Sequence, residues 1–202
     1  MYFKNYFVFV LAIALLCSCR AMLLKQYGVS ELKKFDLIRY TNFIYQLDTS
    51  GINIQHFYAD TNSYKCIRKI SQSKKTQKDL GQPIQLIYFV GDSLRSFHAN
   101  CYAPGVKKNL NWNYLNRFET FPPRSAVQLD SMNFKLKSFS DCYVSGKIKE
   151  KTKFTVIIYW TLMLEKMSRT AIDVVFENIR KFKKQQNVIV YLINNDQSFL
   201  ND

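Results

Sequence analysis

The sequence is poor in the residues that mark disordered or collagen-like chains. Only 6 of its 202 residues are glycine and 4 are proline, whereas 48% are hydrophobic. Collagen-like and low-complexity chains need far more glycine and proline, and a disordered chain lacks this much apolar surface. The composition also excludes a multi-spanning membrane protein. We therefore expect a globular chain of one domain, or of two small ones.

Motifs of catalysis are missing as well. The sequence contains no paired carboxylates, no glycine-rich phosphate loop and no Ser/His/Asp set. Its two histidines are His56 and His98. His98 and Cys101 are three residues apart in a predicted strand, so their side chains point to opposite faces and do not chelate one ion. We expect neither a metal site nor a cofactor.

The N terminus has the features of a secretory leader. Lys4 precedes an apolar stretch from Tyr6 to Leu16, and small residues follow. A helix that crosses a bilayer needs about 20 apolar residues, more than this stretch offers. The leader therefore predicts export rather than a transmembrane anchor.

The end of the leader resembles the lipobox of bacterial lipoproteins, with Leu16, Cys17 and Ser18 before the acceptor Cys19. Cys17 departs from the usual small aliphatic or hydroxyl residue. The resemblance implies a signal peptide over 1–18, a diacylated Cys19, and an anchor and linker over 19–29. Two or three acyl chains anchor a protein stably, as one chain does not. The alternative is an ordinary cleaved leader.

Arg20 stands where lipoproteins of this kind retained in the inner membrane have an aspartate. The resemblance therefore favours the outer membrane of a bacterial cell envelope, on its periplasmic or its surface side.

Acidic residues are few: 15, against 29 lysines and arginines. Loss of the leader removes Lys4 and leaves a net charge of about +13. The clustered cations are Lys74, Lys75 and Lys78; Lys147, Lys149, Lys151 and Lys153; and Lys181, Lys183 and Lys184. For an exported protein we expect anionic head groups or an envelope protein as partners, and no nucleic acid. A merely solvated basic surface is the alternative.

Three cysteines follow the leader: Cys66, Cys101 and Cys142. An odd number in an oxidising compartment allows one disulfide and one free thiol, but spacing does not fix the pairing.

The sequence of the N-terminal region, 30–123, predicts an α+β structure. Residues 30–47 favour a helix with Ser30 as its N-cap, and a strand pair is the alternative. A turn at 48–51 then leads into an extended segment. Residues 71–81 are polar and without periodicity, which predicts a mobile loop.

The clearest hairpin in the chain joins Gln85–Val90 to Ser93–Cys101 through Gly91 and Asp92. The Asn-rich segment 108–123 follows, and its Trp112 and Tyr114 either stack on a sugar or pin a loop to the core. Pro122 and Pro123 end this region.

The C-terminal region, 124–202, carries the strongest pattern. The apolar run Phe154–Trp160 predicts a strand buried on both faces, and apolar residues at helical spacing follow from Leu164 to Phe182. Asn187–Ile193 predicts a second buried strand. Strand, helix and strand together indicate a βαβ unit with parallel strands.

This unit resembles a thioredoxin-like domain. Tyr159 and Trp160 match the aromatic pair that ends the first strand of that family, and Val188–Ile193 with Asn194 and Asp196 matches the later strand. The positions of the family's two active-site cysteines fall on Leu164 and Met167. Because disulfide exchange needs an activated thiolate and a resolving thiol, the resemblance implies a redox-inactive member.

In that family a cis-proline loop, two further strands and a helix follow the unit, whereas this sequence stops at Asp202. The missing strands would have to come from the N-terminal half. The expected fold class is α+β or α/β, with the thioredoxin-like unit joined to a hairpin-containing N-terminal half.

Ligands of open parallel sheets bind beyond the carboxyl ends of the strands. The candidate crevice is therefore lined by Trp160, Thr161, Asn194, Asn195 and Asp196, or these are turn and cap residues. We expect a lipid-anchored binding or structural module. The alternative is a thiol oxidoreductase or peroxidase that uses Cys66, Cys101 or Cys142.

Overall fold

The computed structural model describes residues 28–59, 61–106, 109–127, 134–142 and 152–200. The leader, the lipobox cysteine and most of the lysine cluster at 147–153 lie outside the described residues.

One five-stranded mixed sheet forms the centre of the fold, in the order β1-β7-β6-β2-β3. Strands β1, β7 and β6 run parallel, while β2 and β3 run antiparallel to their neighbours. A small hairpin of β4 and β5 stands apart from this sheet. The strands are β1 Asn53–Tyr58, β2 Gln85–Val90, β3 Ser93–Ala99, β4 Gly105–Val106, β5 Asn109–Leu110, β6 Phe154–Trp160 and β7 Val188–Asn194.

Helices cover both faces of the sheet. The first face packs against α1 and the long α5, and the second packs against α2, α3 and α4. The helices are α1 Leu37–Tyr45, α2 Thr61–Lys69, α3 Lys74–Asp79, α4 Leu136–Ser140, α5 Glu165–Lys181 and α6 Asp196–Phe199.

The predicted βαβ unit is confirmed. Every residue of β6 and of β7 is buried, as unbroken apolar strands under two layers of helices require. Helix α5 presents its apolar stripe to the first face of the sheet through Ala171, Ile172, Val175, Phe176 and Ile179. The coarse fold class, a mixed α+β protein, is thereby shown.

The β2-β3 hairpin also forms as predicted. Its turn uses Gly91 at φ +56°, a conformation that favours glycine. Strand β3 ends at Ala99, so Cys101 lies in the following 3₁₀ turn.

The predicted helix over 30–47 is wrong in its start. Helix α1 begins at Leu37, because the Asp36 carboxylate accepts a hydrogen bond from the Arg39 N–H at 3.0 Å and acts as the N-cap. Ser30 does not cap the helix; its N–H donates a hydrogen bond to the Met163 carbonyl instead.

The predicted loop over 71–81 is also wrong, since it contains α3. Ser73 caps this helix, and Thr76 and Asp79 are buried. The Tyr102 hydroxyl donates to the Asp79 carboxylate at 2.7 Å. Polar residues here serve as buried contacts, which a search for apolar periodicity overlooks.

The described residues on both sides of Pro122 and Pro123 contribute strands to the same sheet. Within the described part of the chain, no helix is long and apolar enough to cross a membrane.

Candidate functional site

The five predicted crevice residues meet where β6 and β7 end. Trp160 and Asn194 are paired in register, and the Asn195 N–H donates to the Trp160 carbonyl at 3.0 Å. All five side chains are at most 1% exposed. They come together as neighbours inside the protein, not as the wall of an open crevice.

The Asp196 carboxylate is the centre of this group. Its Oδ1 accepts from the Thr161 hydroxyl at 2.5 Å and from the Leu162 N–H at 2.9 Å, and its Oδ2 accepts from Asn194 Nδ2 at 2.9 Å. Three donors therefore compensate a carboxylate that is 1% exposed. The carboxylate ties the end of β7 to the turn that follows β6.

Thr161 and Ser168 continue the network into α5. The Met163 N–H donates to the Thr161 hydroxyl oxygen at 3.0 Å, and the Ser168 hydroxyl donates to the Thr161 carbonyl at 2.8 Å. The Thr161 N–H in turn donates to Ser168 Oγ at 3.1 Å. The side chains of Thr161 and Ser168 thus form hydrogen bonds with the backbone of the turn that precedes α5.

The N-terminal segment covers the turn from outside. The Ser30 N–H donates to the Met163 carbonyl at 2.8 Å, and the Arg39 guanidinium donates to the Leu162 carbonyl at 3.1 Å. Arg39 also pairs with the Glu165 carboxylate at 2.6 Å. These contacts cover the turn on the side of the N-terminal segment.

Aromatic rings of α1 pack against Trp160 at the same turn. The Trp160 ring stacks on Phe43 with centroids 4.4 Å apart and on Tyr40 at 5.4 Å. Trp160 Nε1 and Asn195 Oδ1 are buried without a hydrogen-bond partner among the described residues. These two atoms are the polar groups that a small ligand or water at this turn would satisfy.

Leu164 and Met167, which the resemblance stated above aligns with two cysteines, have apolar side chains that pack into the core. Leu164 and Met167 are each 8% exposed and belong to the cluster on the first face. Neither side chain ionises or exchanges with a disulfide.

Two of the three candidate redox cysteines are bonded to each other, and the third is free. Cys66 of α2 and Cys142, just beyond α4, form a disulfide with their Cα atoms 5.4 Å apart. Cys101 is exposed and free. Burial and, second, the Asp79 carboxylate raise the pKa of the Cys101 thiol. A raised pKa lowers the thiolate fraction at neutral pH and hence the nucleophilic reactivity.

A basic groove lies between α2 and α3, and its lining residues are not among the lysine clusters named from the sequence. Lys65, Arg68, Lys69 and Gln77 line about 190 Å³. The spacing of the three cations places them on one face of α2. None of them takes part in an ion pair between described residues. The groove therefore has uncompensated positive charge that suits an anion.

Of the two aromatic residues considered for sugar stacking, only Tyr114 is exposed to solvent. Trp112 is 4% exposed and belongs to the core, while Tyr114 is 42% exposed. Trp112 therefore pins its segment to the sheet and does not offer a ring face to a sugar.

Among the residues that the structure describes, no cluster of His, Cys, Asp and Glu is suited to hold a metal ion. Comparison of the chain with protein-family models, with curated proteins and with solved structures finds no match.

Proposed function

We propose that this chain is a lipid-anchored cell-envelope protein whose thioredoxin-like domain is redox-inactive and works as a binding or structural module. The observation that carries the proposal is the turn between β6 and α5. Leu164 and Met167 stand at the two cysteine positions of the resemblance, both buried in the core. A turn without thiols, covered by the N-terminal segment, is suited to holding the fold and not to disulfide exchange.

The order of the sheet supports the thioredoxin-like part of the proposal. The resemblance implies two further strands in the same sheet as the βαβ unit. Strands β2 and β3 lie antiparallel beside β6, on the side opposite β7. In this proposal the hairpin of the N-terminal half takes the place of those two strands, earlier in the chain than the family has them.

The anchor rests on the lipobox that ends at Cys19. Eight residues separate it from Gly28, the first described residue, and the linking chain spans at most about 30 Å. The domain would therefore stay close to the membrane surface, with the outer membrane favoured. The cationic groove of Lys65, Arg68 and Lys69 fits the anionic head groups proposed as partners.

Lipidation is tested by metabolic labelling with a tagged palmitate in bacteria that express the full chain. We expect label on the wild type and on Cys17→Ser, which keeps the acceptor, but none on Cys19→Ser. Label that persists in Cys19→Ser contradicts the proposed anchor.

Redox inactivity is tested by the reduction of insulin disulfides with dithiothreitol, and by the consumption of hydrogen peroxide. We expect the protein to accelerate neither reaction. The alternative, a thiol oxidoreductase or peroxidase, draws on the exposure of Cys101. Turnover that Cys101→Ser abolishes would establish that alternative.

A further inference from the structure

The basic groove between α2 and α3 lies in a stretch of the chain whose charges are all positive. Residues 61–78 contain α2 and most of α3, with six lysines and arginines and no acidic residue. The acid that follows them, Asp79, is 3% exposed and accepts a hydrogen bond from the Tyr102 hydroxyl at 2.7 Å. No ion pair between described residues involves a cation of this stretch. Because like charges repel, the two helices together produce a local positive field that an anion relieves.

Helix α2 presents three of these cations together. Lys65, Arg68 and Lys69 are exposed and line the groove, while the buried residues of the helix include Tyr64 and Ile67. A disulfide also joins the helix to the end of α4. Arg68 and Lys69 lie in the last turn, where cations stabilise a helix, but Lys65 lies a turn earlier. Helix stabilisation therefore does not account for all three charges at one groove.

The Arg68 side chain lies against a glycine that follows α3. A Cβ at Gly81 would be 3.2 Å from Arg68 Nε and 3.2 Å from the Gln77 carbonyl oxygen. The arginine therefore occupies space that any other residue at position 81 would fill in part. The Gln77 side chain is held as well, because its Nε2 donates to the Ser71 carbonyl at 2.8 Å. Both helices thus contribute a positioned side chain to the groove.

The size and the donors of the groove select a phosphate group. Its volume of about 190 Å³ has room for one small anion, and its cations are exposed, so the rest of a larger ligand stays in solvent. A guanidinium offers a fork of N–H donors that matches phosphate oxygens, and lysines add point charges. A phosphate monoester carries about two negative charges at neutral pH, whereas a carboxylate carries one. Three cations at one groove therefore favour the monoester.

We propose that the groove of Lys65, Arg68 and Lys69 is a binding site for a phosphate monoester group, either of a free compound or of an anionic lipid head group. This deepens the function proposed above, on whose anionic partners it rests, because it names the bound group and the residues that bind it. Arg68 is the central donor, and the two lysines supply the remaining charge. Acylation of Cys19 is not needed for the site.

Binding of inorganic phosphate to the full chain tests the site. The protein is purified from bacterial membranes in a neutral detergent, and calorimetric titration measures the dissociation constant. We expect Arg68→Gln to weaken binding about tenfold, because it removes a charge-assisted hydrogen bond to the phosphate. Arg95→Gln removes the same charge from an exposed position of β3 and should leave the dissociation constant unchanged.

Gly81→Ala distinguishes a positioned arginine from a surface that is only charged. This variant keeps every charge, and Gly81 is not among the glycines with positive φ, so its backbone accepts alanine. The added Cβ displaces the Arg68 side chain. We expect phosphate binding to weaken about fivefold, although the net charge is that of the wild type.

Vesicles identify the source of the phosphate. Cys19→Ser lacks the proposed acylation site, so the difference between its binding to phosphatidylcholine vesicles with and without phosphatidic acid reports the head group and not the anchor. A gain with phosphatidic acid that Arg68→Gln removes assigns the site to lipid head groups. Phosphate binding that depends on Arg68 without such a gain assigns it to a free phosphate compound. Neither result depends on acylation, so this proposal and the proposed anchor fail separately.

Three results overturn the proposal. The first is a wild type that binds inorganic phosphate no more tightly than Arg68→Gln does. The second is a loss in Arg95→Gln as large as that in Arg68→Gln, which would make the effect one of net charge. The third is a Gly81→Ala variant that binds phosphate as tightly as the wild type.

Discussion

His98 is a base held neutral inside the protein. It is 2% exposed, its ring lies 4.9 Å from that of Phe118, and its Nε2 is 3.0 Å from Ser96 Oγ. Burial, and second the charge of Arg117, lowers the pKa of His98 to about 3. The unfolded chain has an ordinary imidazole with a pKa near 6.5.

This difference makes stability depend on pH in one direction. Below about pH 6.5 the unfolded chain binds a proton that the folded protein does not, so stability falls as the pH falls toward 3. We expect His98 to contribute a loss of about 2 kcal/mol in unfolding free energy between pH 7 and pH 5. Urea unfolding at both values should show a smaller loss in His98→Gln. An unchanged pH dependence in that variant would refute the assignment.

Asp196 is the residue on which the buried network depends. In Asp196→Asn, an amide group replaces one of the two oxygens, and it faces a donor at either position: the Thr161 hydroxyl and Leu162 N–H, or Asn194 Nδ2. We expect the unfolding free energy to fall by about 2–3 kcal/mol. Urea denaturation measures this, with the exposed Asp141→Asn as the control. Equal effects of the two substitutions would contradict the role of the network.

The sequence predicted which five residues meet at this turn but not that they are buried. Their meeting follows from parallel strands, whose carboxyl ends share one edge of the sheet. The cover of this turn includes contacts of Ser30 and Arg39 with Leu162, more than 120 positions away. No local pattern in the sequence encodes contacts of that range.

At the level of elements, Arg39 fastens the N-terminal segment to α5. Its guanidinium binds the Glu165 carboxylate, the Leu162 carbonyl and the Ser30 hydroxyl. The Arg39–Glu165 pair is partly exposed and contributes modestly.

Arg39→Met keeps the aliphatic stem and removes these bonds. We expect amide exchange of residues 28–45 to become about fivefold faster, equivalent to about 1 kcal/mol. Hydrogen exchange followed by mass spectrometry measures it. Arg95→Met, at an exposed position of β3, should change nothing. Slower or unchanged exchange in Arg39→Met would refute the fastening role.

The Cys66–Cys142 disulfide joins α2 to the end of α4 and spans 76 positions of the chain. Closing a loop of this length restricts the unfolded chain, which in the chain-entropy account stabilises the fold by about 4–5 kcal/mol. The double variant Cys66→Ala/Cys142→Ala should lose most of that free energy in guanidinium unfolding. Cys101→Ser should unfold like the wild type. Similar losses in both would show that the bond contributes little.

The elements that the sequence predicted well differ physically from those it did not. Strands β6 and β7 and helix α5 are long and buried, so their apolar period is strong. Helices α1 and α3 are short and begin at the caps Asp36 and Ser73. A cap is one side chain, and several nearby Ser and Asp residues compete for that role in the sequence.

At the scale of the molecule, one sheet draws its strands from both sides of the double proline at 122–123. Strand β2 pairs with β6 along its whole length, and both are almost entirely buried. The two regions distinguished in the sequence therefore share one hydrophobic core on each face of the sheet.

A shared core predicts that both regions unfold together. Amides of β2, β6 and β7 should exchange only through global unfolding, with equal free energies that fall in parallel as denaturant is added. Native-state hydrogen exchange in increasing guanidinium measures these free energies strand by strand. If β2 lost protection at lower denaturant than β6 and β7, the N-terminal region would be an independent unit docked on a stable βαβ core. Coincident values would mean that neither region keeps its half of the sheet without the other.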